Sequence, residues 1–343
     1  MLRHLPLLLY LVALLAWLVY CAVHTFFIGR MPLPRGQAVA LGAVIALALS
    51  LIGTWGLMGL RGLRRLFGAA PDPLWLDRPW ARIGLLALLG LTAALVIYGR
   101  YVEPRWLVVR ELALGGPAQR PVRIAVISDL HISGDRAPWT GLAAAVNATN
   151  PDLILMLGDT LNRASALPVL HRALAAMRAR EGKYAIRGNW EAWYWHDLPL
   201  LQGTGFRWLD GRPVTRQIHG IHVHLCGLSY RDGDHDGRGE AMLTRLPPGW
   251  RLFLYHTPDM APDVPSADLY LAGHTHGGQI SFPFYGALVT LSRHGKRFER
   301  GRVQLGRTTV YVNPGIGVEP MIPLRIGVRP EITLVTLGRP PAR

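Results

Sequence analysis

Lysine and cysteine are nearly missing from this chain: its 343 residues include two of each, against 35 arginines. Cys21 lies in an apolar run and Cys226 stands alone in the rest of the sequence. The polar part can therefore close no disulfide of its own, and a disulfide scaffold is excluded. Charged residues make up only 17% of the chain while apolar ones make up 50%, which excludes a disordered chain. The net charge of +15 splits as +8 in residues 1–120 and +7 in 121–343, with the arginines scattered. A nucleic-acid binder gathers such charge into a stripe interleaved with aromatics, so no nucleic-acid partner is expected.

What is present in excess is apolar sequence, and it is local. Three runs stand out, 5–28, 38–60 and 83–99, of 24, 23 and 17 residues. A helix needs about 20 apolar residues to cross a hydrocarbon core, so the first two suffice. The third is short, but Arg82 and Arg100 flank it and can snorkel to the two interfaces. The first run is too long for a cleaved signal peptide and a second full span follows it. No run holds an Asp, Glu, Lys or Arg in its interior, which disfavours a transport pathway. The expectation is a membrane domain of three transmembrane helices over 1–100, a linker over 101–120 and a second domain over 121–337. The compact arginine cluster at Arg61, Arg64, Arg65, Arg78 and Arg82 favours a cytoplasmic loop there, although the opposite side carries nearly as many. With three spans, the second domain then falls on the extracytoplasmic face of an inner membrane.

From Val122 the pattern changes to short β-branched or leucine-rich runs alternating with helical-period segments, as βαβ units require. Strands are expected at 122–128, 153–157, 183–187, 251–255 and 268–272, and helices at 139–149 and 164–180. Each strand runs into a polar group: Asp129 and His131, Gly158-Asp159, Gly188-Asn189, His256, and Gly273-His274-Thr275-His276. In open α/β sheets ligands bind at the carboxyl ends of the strands, so these residues are expected to converge. Two Asp, one Asn and four His form an oxygen and nitrogen set suited to Mn²⁺, Fe or Zn²⁺. Seven ligands exceed one tetrahedral centre, whereas two divalent ions sharing a carboxylate use them all. Such a pair, about 3.5–4 Å apart, clamps the attacking and leaving oxygens of an in-line phosphoryl displacement. The glycines before Asp159, Asn189 and His274 are expected to permit sharp turns into the ligands.

The series Asp-x-His, Gly-Asp, Gly-Asn, His, Gly-His-x-His resembles the metallophosphoesterase (calcineurin-like phosphoesterase) superfamily, in its membrane-anchored bacterial form, over about residues 121–337. The resemblance implies an α/β fold, a four-layer αββα sandwich, and a metal-dependent phosphoesterase. It implies one metal at Asp129, His131 and His276 and another at Asn189, His256 and His274, with Asp159 bridging. It also implies a phosphate-ester substrate: a phosphodiester, phosphomonoester or pyrophosphate, with a lipid substrate left open.

One position departs from the pattern. The superfamily follows Gly-Asn with a His that assists the leaving group, and here Trp190 stands in its place. An indole does not titrate in water and cannot act as a general acid. Three readings stay open: a substrate with a good leaving group, another acid such as His196, or a catalytically weak or silent metal-binding regulatory membrane protein. Lesser features are Asp232, Asp234 and Asp236, whose loop lacks the acidic twelfth position of a calcium loop because Leu243 stands there. His222 and His224 read as structural. A basic run from Arg293 to Arg302 and the aromatics Trp193, Tyr194 and Trp195 are either ordinary packing and solvated surface or contacts to anionic lipid.

Overall fold

A computed structural model describes residues 79–134, 141–230, 237–287, 289–320 and 322–340. The first two apolar runs and the Asp232–Asp236 loop lie outside the described residues. The chain divides into two compact units, Met1–Ile97 and Tyr98–Arg343. In the first, the third apolar run lies on helix α1 (Pro79–Ile97), from which a π-turn over Tyr98–Val102 and a short turn over Glu103–Arg105 lead into the second. One helical stretch among the described residues, Leu86–Arg105, is long and apolar enough to cross a membrane.

The second unit is built on two six-stranded sheets. The first holds β1 (Val108–Leu114), β2 (Val122–Ile127), β3 (Leu153–Met156), β4 (Gly182–Ala185), β5 (Phe206–Trp208) and β14 (Glu331–Leu337) in the order β1-β14-β2-β3-β4-β5. The second holds β6 (Val214–Ile218), β7 (Ile221–Gly227), β8 (Trp250–Leu254), β9 (Leu269–Ala272), β12 (Gly301–Leu305) and β13 (Thr308–Val312) in the order β12-β13-β9-β8-β7-β6. A small hairpin of β10 (Ser281–Phe282) and β11 (Gly286–Ala287) stands apart from both. Strands β2 to β5 pair in parallel, as do β7, β8, β9 and β13. Three of these strands, LILM in β3, LYLA in β9 and TTVYV in β13, are buried throughout. Continuous apolar strands of this kind mark sheets covered on both faces.

The cover is visible in the packing. Ile124, Val126, Leu153 and Leu155 of the first sheet meet Val223, Leu252, Leu254 and Leu271 of the second in a central core. On the outer face of the first sheet, Ile127, Ile154 and Met156 pack on α2 (Leu142–Ala148) and α3 (Leu167–Ala175) through Leu142, Val146, Leu170 and Leu174. A short helix, α4 (Asn189–Trp193), follows β4. On the outer face of the second sheet, Phe253 and Tyr270 pack against Leu243 of α5 (Arg238–Thr244) and against Met260. The layers thus run helix, sheet, sheet, helix. Truncating a buried leucine such as Leu155 to alanine costs about 2–5 kcal/mol in such a core.

The segment expected to be a linker, 101–120, contributes β1, which pairs in parallel with β14 over seven residues. β1 is an edge strand with mostly exposed side chains, so it lacks the apolar run that marks the inner strands. The helix expected over 164–180 is shorter, because the Lys183 ammonium donates to the carbonyls of Leu174 (3.0 Å) and Met177 (2.9 Å) and closes its end.

Candidate metal centre

The five ligand-bearing strands end on one side of the molecule, but they belong to two sheets: β2, β3 and β4 to the first, β8 and β9 to the second. Six of the seven expected residues nevertheless meet. Asp129, His131 and His276 form one group, and Asp159, His256 and His274 a second, the ligand atoms within each lying inside 4.8 Å of one another. Nε2 of His276 is 3.4 Å from Asp129 Oδ1 and 3.2 Å from His131 Nε2. Asp159 Oδ2 faces both groups, 3.2 Å from His256 Nε2 and 3.7 Å from His131 Nε2. Asn189 opens α4 and is buried with them.

The backbone is bent to bring these side chains inward. Asp129, His131, Asp159, His274 and His276 all have positive φ, between 46° and 68°. Left-handed conformations are uncommon outside glycine and cluster at functional sites. The glycines serve two purposes. Gly158 turns with φ of 99°, as expected, whereas Gly188 and Gly273 make room: a Cβ on Gly188 would lie 2.3 Å from Asp159 Oδ1, and one on Gly273 1.9 Å from Ser128 Oγ.

Two buried polar atoms in the site have no hydrogen-bond partner, Asn189 Oδ1 and His256 Nε2. Asp159 Oδ2 lies 3.2 Å from His256 Nε2 as an ion-pair contact. His256 Nδ1 donates to the Leu157 carbonyl at 2.7 Å, which turns Nε2 toward Asp159. His131 Nδ1 is held at 2.7 Å by Asn162 Oδ1 in the same way. Metal-binding histidines are oriented by such partners, and atoms sharing an ion at about 2.0–2.2 Å sit about 3 Å apart, as these do. Divalent cations fit this donor set.

The charges agree. Burial, then the neighbouring His276, hold His131 down at about 3, and burial, then His256, hold His274 at about 3. Both imidazoles are neutral and free to ligate at neutral pH. Burial works against ionisation of Asp129, but His276, His256 and His131 outweigh it and keep its carboxyl well below the usual range. Burial lifts Asp159 to about 6, against the pull of His256.

Two supporting side chains escape a reading of strand ends. The buried Glu191 carboxylate accepts from the amides of Gly188 (2.8 Å), Asp159 (2.8 Å) and Thr160 (2.7 Å) and from the Thr160 hydroxyl (2.7 Å), tying two ligand loops together. Its only sequence signal is an acid in the first turn of a helix. Arg325 is fully buried, donates to the carbonyls of Gly317 (2.7 Å) and Pro314 (2.9 Å), and lies 3.4 Å from His276 Nδ1. It sits 49 residues beyond that histidine, with no local pattern to mark it.

Trp190 stands beside the first group, its ring edge-to-face with His131 at 5.2 Å, and it packs on Tyr194. His196 is half exposed and pairs with Asp197 at 2.8 Å, outside both ligand groups. Trp195 donates to the Leu161 carbonyl and joins the outer helical core, so packing accounts for it. His224 is buried and bonded to Thr215 Oγ1 at 2.9 Å.

Comparison with known proteins agrees with this geometry. The family model described as calcineurin-like phosphoesterase matches residues 122–278. The uncharacterized metallophosphoesterase YkuE of Bacillus subtilis is 30% identical over 70% of this chain and 88% of its own length. Phosphodiesterase YaeI of Escherichia coli is 30% identical over 70% of this chain and 92% of its own. A bovine transmembrane protein with metallophosphoesterase domain is 30% identical over 66% of this chain, which spans 55% of that relative.

Proposed function

This chain belongs to the metallophosphoesterase family of metal-dependent phosphoester hydrolases, and from that premise we propose that it is a membrane-anchored enzyme with a two-metal site that cleaves phosphodiester or pyrophosphate bonds, on a lipid-borne substrate. The two separate groups of ligand atoms, with Asp159 Oδ2 facing both, carry the two-metal reading. Asp129, His131 and His276 would hold one ion and Asn189, His256 and His274 the other, with Asp159, whose Oδ2 faces both groups, shared between them. When bound, divalent ions polarise the phosphoryl oxygens and lower the pKa of a water ligand. The chain's own part is to fix the ligands. Asn162 and the Leu157 carbonyl orient His131 and His256, and Glu191 locks the Asp159 and Asn189 loops.

Trp190 bears on the substrate class. It shields one flank of His131 and offers no titrating proton, so a leaving group stable as an anion suits this site. A pyrophosphate or an activated phosphodiester has one, whereas a simple alkyl diester does not; the diester class itself is supported by the relative named as a phosphodiesterase. Membrane attachment rests on the three apolar runs, on α1 with its exposed Ile83, Leu86 and Leu91, and on relatives named as transmembrane proteins. The arginine distribution favours the extracytoplasmic side for the catalytic unit.

The test is hydrolysis by the full-length protein with added Mn²⁺. Bis(nitrophenyl) phosphate should be cleaved faster than an alkyl phosphomonoester, and Asp159→Asn or His274→Ala should abolish the reaction. Absence of metal-dependent hydrolysis of any of these esters would leave the silent, metal-binding reading in its place.

A further inference from the structure

Three residues after Gly278 the chain enters the β10–β11 hairpin, whose tip is apolar. Phe284 is wholly exposed at 112%, with Phe282 and Tyr285 about half exposed beside it. Phe284 also has φ of 66°, a conformation that bulky residues rarely adopt. A strained aromatic held fully in solvent is not explained by folding. The base of the hairpin is firm: Ala287 N donates to Glu299 Oε1 at 2.8 Å, and the Glu299 carboxylate fills the space beside Gly286. One cation sits on the tip. The Lys296 ammonium sits 3.4 Å from the Tyr285 ring centroid, and Arg297 and Arg300 are exposed nearby in sequence.

The hairpin's location follows from one short segment. Ser281 N donates to the Ile326 carbonyl at 2.8 Å, while Arg325 N donates to Gly99 O at 2.9 Å and Gly327 N to Glu103 Oε2 at 2.8 Å. Residues 325–327 therefore hold the hairpin on one side and the 98–103 turn on the other. That turn is continuous with the apolar helix α1, exposes Tyr101 and Val102, and is followed by Trp106 under the Arg329 guanidinium at 3.4 Å. The same segment reaches inward, through Arg325, to His276. Exposed aromatics paired with cations are the composition of a membrane–water interface, and such cations attract anionic headgroups.

We propose that Phe282, Phe284 and Tyr285 form a second membrane contact, dipping into an anionic bilayer while Lys296, Arg297 and Arg300 meet its headgroups, so that the His274–His276 loop is held next to the lipid surface. This rests on the membrane-anchored reading and adds a specific docking element to it.

The test uses the full-length chain in nanodiscs, with an environment-sensitive fluorophore on Phe284→Cys in a Cys21→Ser background. Cys226 does not interfere, since burial pushes its thiol up to about 12. A label on Arg178→Cys, exposed on the helical layer, is the control. The label at 284 should shift to the blue and be quenched by doxyl lipids in anionic discs, and less so in neutral ones, with no change at 178. Phe284→Asp, which tolerates the left-handed backbone, should lower hydrolysis of a vesicle-borne phosphodiester about tenfold and leave soluble nitrophenyl diester turnover unchanged. A label at 284 as wet as that at 178, or shielded equally without lipid by a second copy, overturns the proposal. If the parent protein hydrolyses no diester, the enzymatic reading fails while the fluorescence still decides the docking.

Discussion

The indole of Trp190 and the imidazole of His131 meet edge to face, centroids 5.2 Å apart and planes at 86°, so an aromatic wall occupies the position where the superfamily pattern has a titrating histidine. Trp190→His should therefore speed cleavage of esters with poor leaving groups by about a hundredfold, the low end of what a general acid contributes. Nitrophenyl esters, which need no acid, should be cleaved at the parent rate. The ratio of kcat for alkyl and nitrophenyl diesters measures this directly; an unchanged ratio means that the missing proton donor is not what limits the chemistry.

Glu191 is the buried group whose loss should be felt in stability. Glu191→Ala leaves the amides of Gly188, Asp159 and Thr160 without their acceptor, and each unsatisfied buried donor costs about 1–3 kcal/mol. Urea unfolding should show a loss of about 3 kcal/mol or more. Glu191→Gln, which keeps one acceptor oxygen, should lose less. Equal stability of the alanine variant would mean that the two loops are held by other contacts.

Metal binding should weaken in acid. Burial first, then the neighbouring carboxylates, lift the Asp159 carboxyl to about 6, with His256 opposing. Its charged form binds the cation, so below pH 6 the proton on this carboxyl has to be displaced. Apparent affinity should fall about tenfold per pH unit below 6 for that proton alone. Titration of the apoprotein with Mn²⁺ between pH 5 and 8 checks the slope; affinity independent of pH in this range contradicts it.

The ligands were legible because β2, β3, β4, β8 and β9 are buried runs that end abruptly in Asp, Asn or His, a contrast that a single sequence displays. The division into two sheets came only from the family resemblance, because β8 and β9 read the same whichever sheet they join. Edge strands such as β1 expose most of their side chains and carry no apolar run, so their segment resembles a linker. Glu191 and Arg325 act through backbone groups brought together by the fold, and nothing adjacent in sequence distinguishes them from a surface acid or base. Five left-handed ligand residues likewise follow from tertiary crowding and not from local propensity.

The direct test of a two-metal site is the metal content of the purified full-length protein, by elemental analysis after dialysis against a trace of Mn²⁺ or Zn²⁺. The parent chain should retain about two ions, since its seven donors exceed what one centre uses, and Asp159→Asn, which weakens the ligand facing both groups, should retain fewer and lose hydrolysis with them. A parent chain that holds one ion or none while cleaving a phosphodiester at full rate would contradict the shared-carboxylate site.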